Sequence, residues 1–86
     1  MKYTFITDSK NEAHFDKIAL KMVDLFKIDH EEAVGRINRH WSGETVTGSD
    51  NMLDHEVLDY WANTVFYGWG SFWWMNPPDL KPLPYP

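Results

Sequence analysis

The sequence predicts a mainly α fold, a small three-helix domain with an extended N-terminal arm. An extended aromatic and proline-rich C-terminal segment completes it and can pair with the arm as a short two-stranded sheet. Three observations carry this reading. Apolar residues recur at helical spacing in three runs, each preceded by capping residues. Cysteine is absent, so no disulfide or thiolate-bound metal staples the chain and the core must come from apolar packing. Aromatic residues are concentrated late: Tyr60–Trp74 holds eight of the fourteen in the chain. Each such side chain buries roughly 150–250 Å² when enclosed.

The elements follow in order. Lys2–Thr7 is rich in aromatic and β-branched residues and reads as a short strand or an arm that lays Tyr3 and Phe5 on the helices. Ser9 and Glu12 fit a capping box, and a helix over about 10–27 follows. Its stripe is Phe15, Ile18, Ala19, Met22, Val23, Leu25 and Phe26. Asp29 caps a second helix over 30–41, with an acidic first turn that suits the helix dipole. That helix buries Ala33 or Val34, Ile37 and Trp41, and Gly35 inside it either permits a close approach by a neighbouring helix or is merely tolerated at a cost of roughly 1 kcal/mol. The polar stretch 44–51, with turn residues Gly48, Ser49, Asp50 and Asn51, is a loop; Thr45–Thr47 is at most a very short strand.

A third helix spans 55–67, capped by Asp54, with Val57, Leu58, Trp61, Ala62, Val65 and Phe66 as its stripe and Gly68 as its stop. Trp69–Met75 has no polar face at helical period. Read as extended, it places Phe72 and Trp74 on one side and Trp73 on the other, beside the arm. Residues 76–86 carry five prolines and take an extended, polyproline-like path over the indoles. No two of those prolines are three residues apart, so a PxxP motif is absent. The length fits a single domain, residues 1–86.

Composition narrows the function. The net charge is −5, which opposes the phosphate neutralisation that dominates nucleic-acid binding. Val65–Met75 is too short to cross a bilayer, and Lys2–Lys10 lacks the apolar run of a signal peptide. The expectation is a cytoplasmic protein without membrane contact. His14, His30, His40 and His55 fall on separate elements with no metal-ligand spacing, so neither metal nor cofactor is expected. Ser9 and Asp54 have capping explanations, no serine lies in a GxSxG elbow, and Gly68-Trp69-Gly70 lacks the rest of a phosphate loop. These absences point away from an enzyme.

Residues 25–41 pair a helix end with a tight turn and a second capped helix. Helix-turn-helix DNA readers share this outline, and Arg36, Asn38, Arg39 and His40 would form the reading face. The stretch Leu25-Phe26-x-x-Asp29-x-x-Glu32-Ala33 also resembles the small three-helix ubiquitin-associated fold. That resemblance covers about a fifth of the chain and lacks the glycine-containing loop of the family.

The function expected is that of a small acidic, non-enzymatic protein-binding module, inhibitor- or immunity-like in composition. Its partner-binding residues are Trp69, Phe72, Trp73 and Trp74, acting with the acidic helix starts, because an extended segment cannot turn all four inward. The same stretch also reads as core, with Phe72 and one of Trp73 or Trp74 folded back over the first helix, and last as a stacking platform for a small ligand with Asn63, Asn76 and Asp79 beside it. The partner is another protein or a second copy of the chain. The alternative is DNA binding through 25–41.

Overall fold

A computed structural model describes residues 2–49 and 52–86. The expected turn residues Asp50 and Asn51 lie outside the described residues. The chain is mainly helical, with a two-stranded parallel sheet. Strand β1 (Ile6–Thr7) leads into α1 (Ser9–Phe26). After a short turn come α2 (His30–His40) and strand β2 (Thr45–Val46). A 3₁₀ turn, Met52–His55, precedes α3 (Leu58–Tyr67), and a second one spans Trp73–Met75. Helix α1 packs against both α2 and α3.

Helix α1 begins one residue earlier than the expected box, and its cap is Asp8. The Asp8 carboxylate accepts from the Asn11 backbone N–H at 3.0 Å and from the Asn11 side-chain amide at 2.7 Å. It also accepts from the Gly48 N–H at 2.6 Å, just past the end of the neighbouring strand β2. One side chain thus starts the helix and ties down the loop. These donors hold the Asp8 carboxyl below the usual carboxylate range. The helix ends with Lys27 in the left-handed region (φ 57°), its N–H returning to the Val23 carbonyl at 3.0 Å.

Helix α2 is capped by Asp29 as its sequence implies, through the Glu32 N–H at 2.7 Å. The Glu32 carboxylate, however, turns toward the next helical turn and accepts from Arg36 Nε at 2.8 Å. Trp41 closes the helix and is buried.

Three local expectations are corrected. The arm pairs with β2 and not with the segment after Gly68: Ile6 opposes Thr45 and Thr7 opposes Val46. The Thr7 hydroxyl adds a bond to the Val46 carbonyl at 2.7 Å. Helix α3 starts at Leu58, with Val57 and not Asp54 in the cap position. Leu53 is fully buried and fixes its own 3₁₀ turn, while Asp54 faces Lys10 at 3.7 Å. Val57 is consequently 70 % exposed and leaves the expected stripe. Residues 73–75 coil into a 3₁₀ turn where an extended run was expected.

The core is aromatic. Tyr3 and Phe5 from the arm meet Phe15, with ring centroids 5.5 and 4.9 Å away. Trp41 stands at 4.9 Å from Phe15 and 5.7 Å from Trp61, which extends the cluster to α3. Phe26 and Phe66 stack at 3.8 Å and close the other end. Ile18, Ala19, Met22, Ala33, Ile37 and Val65 fill the spaces between.

Candidate functional site: an exposed aromatic face

The segment after α3 is shaped by a run of left-handed residues. Gly68 (φ 101°) ends the helix and Gly70 (φ 75°) turns the chain. Phe72 (φ 53°) and Asn76 (φ 48°) then bracket the 3₁₀ turn. Asparagine tolerates this region; phenylalanine adopts it only under constraint from its surroundings.

The constraint is Trp73. Its indole N–H donates to the Thr64 hydroxyl at 3.1 Å, and its ring lies 5.8 Å from that of Tyr60. Thr64 is itself buried on α3, a polar core residue that helical spacing did not reveal. With Trp73 anchored inward, its neighbours face solvent. Phe72 and Trp74 are 55 % and 58 % exposed and meet edge to face at 5.6 Å. Met75, absent from the expected set, is exposed beside them. Trp69 is 62 % exposed and rests on His40, with centroids 4.9 Å apart. Of the four residues expected to bind a partner, Trp69, Phe72 and Trp74 are therefore at the surface, and Trp73 is a half-buried anchor.

A cleft of about 410 Å³ adjoins Phe72, walled by Gly70, Ser71, Pro77, Leu80, Asp79 and Lys81. It gives the aromatic face a recess with both charged and apolar walls. His40 lies under Trp69, its Nε2 buried with no hydrogen-bond partner among the described residues. Burial pushes its pKa down to about 4.

The four α2 residues expected as a DNA-reading face all have partners within the chain, and Arg39 among them is exposed. Arg36 is buried against Glu32 and the Phe66 ring. Asn38 exchanges bonds with the arm, accepting from the Thr4 N–H at 2.9 Å and donating to the Lys2 carbonyl at 3.1 Å. Arg39 donates to the Pro84 carbonyl at 2.6 Å, and His40 is under Trp69. Among the described residues no cluster of three His, Asp or Glu side chains has the geometry of a metal site. No helix there is long and apolar enough to cross a membrane.

The fold and this face define a small three-helix domain that displays aromatic side chains from a pinned turn. No protein-family model, curated protein or solved structure matches the chain.

Proposed function

We propose that the chain is a non-enzymatic module that binds another protein through Trp69, Phe72 and Trp74, with Met75 at the edge. The observation that supports this is the combination of three large aromatics, each more than half exposed, with a half-buried anchor that holds them out. Tryptophan, when desolvated by a partner, is among the residues that dominate binding energy. A rigid turn lowers the ordering cost of that step. The exposed acidic residues Asp29 and Glu31 at the start of α2 add a negative field that favours a basic or neutral partner. This is the inhibitor- or immunity-like mode: one compact acidic domain covering a patch on its target.

The test is capture on immobilised chain, with the triple variant Trp69→Ser, Phe72→Ser, Trp74→Ser beside the parent. The expected result is a specific partner retained by the parent and lost by the variant, both proteins having the same thermal midpoint. A partner held equally by both would sink the reading. Sedimentation across a concentration series identifies the case in which the partner is a second copy.

A further inference from the structure

The segment Lys81–Pro86 is held by polar groups of α2 and α3. It crosses α2 and the end of α3, and its contacts are those of a bound peptide. The Leu83 N–H donates to the Phe66 carbonyl at 2.9 Å. Arg36 Nη1 donates to the Leu83 carbonyl at 2.8 Å and Arg39 Nη1 to the Pro84 carbonyl at 2.6 Å. The Tyr85 ring is flanked by both guanidinium groups, at 5.4 and 5.5 Å. Two glycines make room. A Cβ on Gly35 would overlap the Tyr85 hydroxyl, and one on Gly68 would come within 3.0 Å of the Leu83 side chain. The close approach permitted by Gly35 is thus to Tyr85, and not to another helix.

Prolines 82, 84 and 86 alternate with Lys81, Leu83 and Tyr85. They bias the segment toward an extended path before it docks, and they carry no N–H needing a partner. The groove reads two side chains, one N–H and two carbonyls. None of these contacts depends on the segment being joined to the same chain. We propose that the groove formed by Gly35, Arg36, Arg39, Phe66 and Gly68 is a receptor for an extended Leu-Pro-Tyr-Pro segment of another polypeptide. The chain's own Leu83–Pro86 is its resident, displaceable occupant. This inference is independent of the aromatic face.

A tethered occupant acts at an effective concentration in the millimolar range, so a free peptide competes poorly until the tethered one is disabled. The experiment therefore uses the full chain carrying Leu83→Asp and Tyr85→Ser, which empties the groove and leaves its walls intact. The probe is a labelled synthetic peptide of residues 79–86, read by fluorescence anisotropy. The variant binds it at least about tenfold more tightly than the parent chain does. Adding Arg39→Ala to the variant removes most of that affinity, and the same peptide carrying Leu83→Asp and Tyr85→Ser does not bind. In the parent, the Leu83 amide exchanges slowly, and excess peptide accelerates it by displacing the resident segment. A variant with the parent's circular dichroism that fails to bind the peptide would overturn the proposal. So would a Leu83 amide that exchanges in the parent at the rate of the free peptide. A concentration-dependent dimer of the parent, abolished by Arg39→Ala, would support it and identify a second copy as the other polypeptide.

Discussion

Arg36 and His40 share α2, and both have roles that residue type alone does not announce. Arg36 is 5 % exposed. It is tolerable there because Glu32, the Leu83 carbonyl and the Phe66 ring together replace its hydration. Two of those three partners lie far along the chain, so a surface arginine was the only reading its sequence neighbourhood allowed. His40 has no such compensation and stays neutral in the fold. Its pKa lies below the unfolded value of about 6.5. Between about pH 6.5 and 4 the unfolded chain therefore binds a proton that the folded chain refuses, and stability falls as pH falls. The loss reaches about 3 kcal/mol once both forms would be protonated. His14 is shifted in the same direction, mainly by burial. Asp8 and Asp16, held below the usual carboxylate range, lose their contribution only at more acid pH. Urea midpoints of the parent should drop between pH 7 and pH 5. His40→Phe should flatten much of that drop, and a slope unchanged by His40→Phe would show that other groups carry it.

At the scale of elements, what was legible follows from how local the signal is. The stripes of α1 and α2 and the Asp29 cap depend on residues within a few positions of one another, and both helices lie within about a residue of where spacing puts them. The α1 cap is Asp8 and not the expected Ser9, and Leu25, expected in the stripe, is exposed at the helix end. The arm's alternation also held, with Tyr3 and Phe5 inward and Ile6 outward. The alternation of Phe72 and Trp74 against Trp73 survived too, although the segment coils. The start of α3 was not legible, because burial of Leu53 and the pull of Lys10 on Asp54 outweigh a local capping preference. Nor was the strand partner, since β2 has two residues and shows no period. The caps offer a direct comparison. Asp29→Ala removes one bond to its helix and should cost about 1 kcal/mol. Asp8→Ala removes the bonds to Asn11 and also the tie to Gly48, so it should cost more. Denaturant unfolding of the two variants ranks them, and faster exchange of the Gly48 amide in Asp8→Ala alone identifies the loop tie. Equal costs would reduce Asp8 to an ordinary cap.

For the whole molecule, the question is whether the exposed aromatics reflect loose folding or design. The accessible surface is 5358 Å², against about 5300 Å² expected for a folded protein of this mass. The radius of gyration is 12.5 Å, against about 12 Å for a compact chain of this length. The chain as a whole is as compact as its length predicts, so the exposure at Trp69, Phe72 and Trp74 does not come from overall expansion. Stability and surface should therefore separate by residue. Trp41 joins α1, α2 and α3 through Phe15 and Trp61. Trp41→Ala should cost about 3–5 kcal/mol, much of what a small domain possesses. Trp74→Ser changes a side chain that is more than half in water and should stay within about 0.5 kcal/mol. Trp73→Phe keeps an aromatic ring, though a smaller one, but loses the bond to Thr64, so it should cost about 1 kcal/mol. It should also loosen the turn, seen as higher acrylamide quenching of the remaining indoles. The ordering Trp41, then Trp73, then Trp74 is the signature of a face displayed by a fold that does not need it. If Trp74→Ser destabilised the chain as much as Trp41→Ala, the aromatic segment would be core, and binding through it would lose its physical basis.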